Sequence, residues 1–256
     1  MYGRLQSSEV TILVKALPQP SKKFGETVCC AGLTDSGEWK RLFPIRFRHL
    51  SGSQSFQRWD RVNFSYHLPR QDTRRESCHV FEDTISIGKP LSKHERVRLL
   101  NRVIVESAKK AEEAGQSLAL IRPKNTVFKF KKKTASQLES EREAYGRAAS
   151  QGSFLDQELA AMEPSPFRFG FAFEDGSGKH AYQCADWEIH AMYFSGRLRI
   201  GEAKTLAWME HTFNETYPTA GMAFALGNMA KRPQTWQLLG VIRLDEDTQG
   251  DLFSRT

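Results

Sequence analysis

The segment FRFGFAFEDGSGKHAYQCADWEIH, residues 167–190, constrains the fold more than any other stretch. Phe167, Phe169, Phe171 and Phe173 recur at every second position, which in an extended chain sets four rings on one side. Burying a ring of that size is worth roughly 1.5–3 kcal/mol, so that side must meet a core. Asp175-Gly176-Ser177-Gly178 then turns the chain into a second strand. An even loop centred on that turn opposes Phe173 to His180, Phe171 to Tyr182, Phe169 to Cys184 and Phe167 to Asp186, all on one face.

This register carries His180 and Asp186 to the edge of a core. Burying a carboxylate costs several kcal/mol unless it is paired, metal-bound or protonated. Two readings of Asp186-Trp187-Glu188 follow. In one, Asp186 caps a helix beginning near Trp187, with Trp187 and Ile189 in the core. In the other, Asp186 and Glu188 hold a divalent cation, magnesium or manganese, and His180 completes a catalytic set like those of metal-dependent nucleases, with His190 two residues beyond Glu188.

The remaining elements are read from period and punctuation. An apolar run, Val10 to Leu17, opens the chain. VCCAGLTDSGEWKRLFPIRFR forms a hairpin around Thr34-Asp35-Ser36-Gly37, with Trp39, Phe43 and Phe47 interleaved with Lys40, Arg41, Arg46 and Arg48. Rings that stack on bases and cations that meet phosphates are both needed on a strand that binds nucleic acid; a half-buried strand with a basic outer face reads the same way. Residues 56–68 are strand-like, and 70–77 form a basic loop with Arg74 and Arg75. Ser92-Lys93-His94-Glu95 matches a capping box, and the apolar spacing beyond it predicts one helix over about 92–114, ended by Gly115. SLALI is a short strand, and the run after Pro123 presents Lys129, Lys131 and Lys132. Gly201 to Tyr217 is an amphipathic helix, and MAFAL (222–226) and TWQLLGVIRL (235–244) are buried strands that pair with the phenylalanine hairpin.

The expected fold is therefore α+β: two β-rich halves joined by helices, with a short C-terminal tail. The divisions are a basic domain over 1–133, a polar helical linker over 134–165 interrupted near Gly146 and Gly152, an α+β domain over 166–246 and a tail over 247–256. Alternation alone leaves both a small barrel and an open sheet available to the first half.

Charge divides in the same place. Residues 1–133 hold 26 Lys or Arg against 13 acids, and residues 134–256 hold 11 against 17. Such asymmetry points to a polyanion, DNA ahead of RNA, met by Arg41, Arg46, Arg48, Arg74, Arg75, Lys129, Lys131 and Lys132. The four cysteines have neither CxxC pairing nor zinc-finger spacing, so they read as buried thiols. No apolar run reaches the roughly 18–20 residues of a membrane span, and the first residues carry no hydrophobic signal core; a cytoplasmic protein with no membrane partner is expected.

Two resemblances remain. KALPQPSKKFGETVCCAG, EWKRLFPIRFR, SLALIRPK, the DWE segment and GNMAKRPQTWQLLGVIRL resemble a scattered group of uncharacterised bacterial and archaeal proteins, which implies no activity. Gln249-Gly250-Asp251-Leu252-Phe253 resembles the pentapeptide by which bacterial polymerases and mismatch-repair proteins bind the DNA sliding clamp. That resemblance implies Gln249 as a polar anchor, Asp251 ahead of the leucine, and Leu252 and Phe253 in an apolar pocket of the clamp, although Gly250 departs from the commoner Leu. Leu252 and Phe253 could equally fold back as a terminal staple. The leading expectation is a nucleic-acid-binding protein of mobile-element or defence type, recruited to the clamp. The nuclease is the alternative, and a non-enzymatic module whose acidic half binds a protein is the third.

Overall fold

The structure, a computed structural model, describes residues 4–21, 25–46, 50, 52–149 and 162–245. Five strands close into a barrel at the N-terminal end: β1 (Gln6–Lys15), β3 (Gly25–Leu33), β4 (Trp39–Ile45), β5 (Arg61–His67) and β6 (Ser77–Ile87). A three-residue strand, β2 (Gln19–Ser21), pairs outside them on β3. The ladder runs β1-β5-β6-β4-β3 and shuts through β3 back onto β1; β4 and β6 are parallel, and the other pairs are antiparallel. The interior is filled by alternate residues of each strand, among them Val10, Ile12, Val28, Cys30, Leu42, Ile45, Val62, Phe64 and Val80. The first half is thus a barrel rather than an open sheet.

The capping box at Ser92 starts α1 (Lys93–Val103) as its sequence dictates, with Glu95 N–H donating to Ser92 Oγ and Ser92 N–H to Glu95 Oε2. The helix does not continue to residue 114. Ile104 and Val105 extend into β7 (Ile104–Val105) and pair in parallel with Leu120 and Ile121 of β8 (Leu118–Ile121). Ser107 then caps a second, short helix, α2 (Ala108–Glu113). The β-branched Ile104 and Val105 favour extension, and a strand partner supplies the hydrogen bonds the helix would have made.

The C-terminal half is built from two sheets. One is β11 (Gly178–Gln183), β10 (Phe167–Asp175) and β9 (Lys124–Lys132); the other is β13 (Arg232–Arg243), β12 (Met222–Met229), β8 and β7. The hairpin register is the expected one: Phe173 opposes His180, Phe171 opposes Tyr182, and Cys184 N–H donates to Phe169 O. Phe167 instead opposes Lys132 of β9, and Asp186 bridges to Ala16 of the barrel. The phenylalanine row does not share a continuous ladder with β12 and β13. It packs on them face to face, with Phe171 and Phe173 each 5.1 Å from the Phe224 ring. Helices α4 (Trp187–Ile200) and α5 (Glu202–His211) and a π-helical turn, Thr212–Thr216, join the same core on the phenylalanine face through Tyr193, Met209 and Phe213. The expected amphipathic helix over 201–217 is therefore α5 plus that turn, followed by α6 (Tyr217–Thr219).

Two boundaries move. β8 and β9 belong to the C-terminal sheets although they precede residue 133, because their apolar faces meet Phe224 and the phenylalanine row. The segment after them is no bare linker: α3 (Ala135–Ala149) runs through Gly146, buries Tyr145 and Ala148, and donates Tyr145 Oη–H to Pro18 O at 2.8 Å. The barrel and the sheets also share a core, in which Leu13, Ala31, Leu33 and Trp39 pack with Leu118, Leu120, Ala223 and Leu239.

Candidate nucleic-acid interface

In chain order the five barrel strands lie 1-2-3-5-4 around the wall, with third and fifth parallel. This is the Greek-key connectivity of the OB-fold, in which ligands lie across the second and third strands and the loops joining strands 1–2 and 4–5. A fold hosts many functions, so residues decide what this surface does. Phe43 on β4 is 38% exposed, but the outward side chains before it, Ala31 and Leu33 on β3 and Trp39 and Arg41 on β4, are all at most 6% exposed. They are covered by β8, β12 and β13 of the same chain.

Arg41 is a pin within that contact. Its Nη2 donates to Ser117 O at 2.6 Å and Asn228 O at 3.4 Å, and its Nε donates to Ser117 Oγ at 3.1 Å. Glu76 accepts from Ser117 N and Oγ on the other side. Burial pulls the Arg41 pKa below its ordinary value, and Cys29 is the largest influence in the opposite direction. Arg74, in the loop joining the fourth and fifth strands, donates Nη1–H to Asn228 O at 2.8 Å and grips Asp72 with Nε and Nη2 at 2.8 and 2.6 Å. Burial raises the Asp72 carboxyl, but Arg74 and Ser77 outweigh it and leave it below the usual carboxylate range. Arg46 pairs with Glu82 through Nε at 2.8 Å. Arg75 is 58% exposed, with Glu76 at 3.8 Å. Arg48 lies outside the described residues. The sequence-chosen barrel arginines thus include two that the fold consumes internally, Arg41 and Arg74.

The lysines after Pro123 fare differently. The period of β9 divides them: Lys129 and Lys131 project with Val127 from the outer face of the three-stranded sheet, while Lys132 follows Phe128 and Phe130 toward the opposite side at the strand end. On β10 the positions between the phenylalanines, Arg168, Gly170 and Ala172, share that outer face; Lys131 stands directly opposite Arg168 and Lys129 opposite Gly170. Lys129, Lys131 and Arg168 are exposed and have no carboxylate partner among the described residues. Like charges facing each other across a ladder cost roughly 0.2–1 kcal/mol. Arg168 was missed in sequence, although the alternation that buries Phe167 and Phe169 already sends it outward.

The nuclease candidates take separate positions. Asp186 is fully buried. Its Oδ1 and Oδ2 accept from Arg58 Nη2 at 3.0 and 2.9 Å, Oδ1 also accepts Glu188 N–H at 3.0 Å as the α4 cap, and Oδ2 accepts Val241 N–H at 2.8 Å. Burial works against the Arg58 charge, but Asp186 and Glu188 outweigh it and raise that guanidinium above its ordinary range. Glu188 turns away to Lys15 at 3.0 Å. His180 sits at the hairpin turn, its Nε2 2.8 Å from Asp175 Oδ1, six residues or about 20 Å of extended chain from Asp186. Among the described residues no three His, Cys, Asp or Glu side chains converge to hold a metal. The carboxylate is paired by Arg58, a partner that sequence spacing could not reveal.

Gln249, Asp251, Leu252 and Phe253 lie outside the described residues. No helix is long and apolar enough to cross a membrane among the described residues. No curated protein matches the chain. A solved structure described as a replication protein A heterotrimer bound to ssDNA is 10% identical, with 95% of this chain and 66% of that chain covered, so this chain spans slightly less than two thirds of it. The TM-score of that match is 0.26. Residues 6–105 match the family described as Domain of unknown function (DUF8758). Residues 102–256, more than half the chain, match the family described as Domain of unknown function (DUF8757), and the chain belongs to that family.

Proposed function

We propose that this is a nucleic-acid-binding protein of bacterial DNA metabolism, of mobile-element or defence type, whose tail QGDLF docks on the DNA sliding clamp. The observation that carries the binding reading is the face-to-face pair Lys131 and Arg168 beside Lys129, held in register with no compensating carboxylate among the described residues. A phosphate backbone removes that repulsion and releases its own counterions, so the same three cations that cost stability supply affinity. Among the described members of the barrel set Arg75 is the most exposed, at 58%, and can add to them.

The clamp reading rests on the resemblance of Gln249, Asp251, Leu252 and Phe253 to the clamp-binding pentapeptide. Purified clamp retains the wild-type chain and loses Leu252→Ala/Phe253→Ala if the tail docks; equal retention of both would remove recruitment from the proposal. Binding of short DNA or RNA near 50 mM salt is expected to weaken steeply by 200 mM. No binding to either at the lower salt would remove the nucleic-acid reading itself.

A further inference from the structure

A groove of about 560 Å³ lies between α1 and the turn that joins β3 to β4, within the roughly 300–1,000 Å³ of ligand sites. Its shape follows from local sequence. Gly37 takes φ 87° in the turn, and a Cβ there would stand 2.9 Å from Val103 Cγ1, so the glycine lets the end of α1 lie against it. Arg98 and Arg102, one helical turn apart, line the groove from the same face of α1. Leu91 and Leu99 give it apolar lining. Its donors are less engaged than its acceptors. Arg102 Nη2 donates to Asp35 O at 2.7 Å, which positions the guanidinium and leaves Nε and Nη1 without acceptors. Arg98 makes no hydrogen bond or ion pair among the described residues. Asn101 Oδ1 accepts from Arg122 Nη2 at 2.8 Å, while its own Nδ2 donates to nothing among the described residues. Both Asp35 carboxylate oxygens accept from Arg61 Nη2, at 3.1 and 3.2 Å, and Glu95 Oε2 accepts from Ser92 N–H at 2.8 Å. The Ser92 hydrogen bonds first, then the charges of Arg61 and Arg98, hold the Glu95 carboxyl below its ordinary range. Glu95 thus offsets part of the Arg98 charge without meeting its N–H groups.

We infer that this groove binds one nucleotide, with its phosphate on Arg98 and Arg102 and its base over the apolar lining. Guanidinium forks match phosphate oxygens, and such charge-assisted bonds are roughly twice as strong as neutral ones. A divalent cation is a poor fit, because the Asp35 carboxylate already serves Arg61 and the guanidinium groups would repel it. A bare inorganic anion would satisfy the arginines and leave the apolar lining in water. A nucleotide satisfies both. None of Lys129, Lys131 and Arg168 lines the groove, so the site is distinct from the outer face of the three-stranded sheet. For a nucleotide within a strand the inference rests on the nucleic-acid reading above, whereas a free nucleotide requires the groove alone.

The test titrates a fluorescent deoxynucleoside triphosphate and a fluorescent oligothymidine, near 50 mM salt, into wild type, Arg98→Gln/Arg102→Gln and Lys93→Gln/Lys109→Gln, all full-length. The lysine pair removes the same charge from exposed helix positions outside the groove. The arginine variant is expected to bind about tenfold or more weakly, and the lysine variant to lose less than about threefold. Loss on the triphosphate alone assigns the groove to a free nucleotide; loss on the oligothymidine, with or without the triphosphate, assigns it to a nucleotide within a strand. Thymidine monophosphate is expected to displace the bound probe at about a tenth of the concentration that inorganic phosphate needs. Equal potency of the two would overturn the nucleotide as the ligand. Equal weakening by both variants, or by neither, would overturn the groove while oligothymidine binding by the wild type keeps the nucleic-acid reading. Wild-type binding to the triphosphate alone would remove the nucleic-acid reading and not the groove, and binding to neither probe would remove both.

Discussion

β4 and β9 carry similar alternations of rings and cations, WKRLFPI and KNTVFKFKK. In β4 the outward cation Arg41 meets two backbone carbonyls and a serine, and its charge is consumed in holding the barrel to the C-terminal sheets. In β9 the outward cations Lys129 and Lys131 meet water and, across the ladder, Arg168. Local pattern is nearly the same in both strands; what differs is whether another layer of the chain closes over the outer face. A cation that the fold has paired is expensive to remove and contributes nothing to an external anion, whereas an unpaired one behaves in the opposite way.

The strongest way to break that comparison is at the paired end. Asp186→Ala leaves Arg58 buried without its carboxylate and strips the α4 cap, so a loss of about 3–5 kcal/mol is expected in urea unfolding. A loss below about 1 kcal/mol would show that the charge network between barrel and sheets is not what joins them. Arg41→Met removes hydrogen bonds to Ser117 and Asn228 and is expected to cost about 2–3 kcal/mol, with unchanged affinity for DNA at temperatures where the variant stays folded.

His190 sharpens the comparison by titration. It is 7% exposed against the Phe169 ring, and burial, with Lys133 adding to it, pushes its pKa down to about 4. The folded pKa lies below the unfolded value, so its contribution is complete above about pH 6.5 and is lost as pH falls toward 4. Stability should fall by about 2 kcal/mol between pH 6.5 and 5, and a His190→Gln chain should show a flatter profile. An unchanged profile would mean that His190 is not held neutral. The smallest expected effect is at the unpaired end: Lys131→Glu, facing Arg168, should raise stability by roughly 0.2–1 kcal/mol while weakening DNA binding. A stability loss there would mean that Lys131 has a structural partner after all.

What the sequence made legible was local. The phenylalanine period fixed the hairpin and its register through Phe169 and Cys184, and Ser92 with Glu95 fixed the start of α1. What it hid depended on partners distant in the chain. Ile104 and Val105 leave a helical pattern because β8 lies beside them, and Asp186 is saturated because Arg58 arrives from 128 residues away. The candidate interface divided along the same line. Strand period alone could have separated Lys129 and Lys131 from Lys132 and added Arg168, but only the closed barrel with the sheets packed on it shows that Arg41 is covered.

The central claim, that the open sheet face and not the covered barrel face meets the polyanion, is tested most directly by one salt titration of short-DNA affinity. Wild type is compared with Lys129→Ala/Lys131→Ala/Arg168→Ala and with Arg41→Met. The triple variant is expected to bind more weakly at every salt concentration and to lose roughly 2–3 from the slope of log affinity against log salt, about 0.7–0.9 for each phosphate contact removed, while Arg41→Met follows the wild type. A triple variant indistinguishable from wild type, with Arg41→Met the one that weakens, would contradict the account.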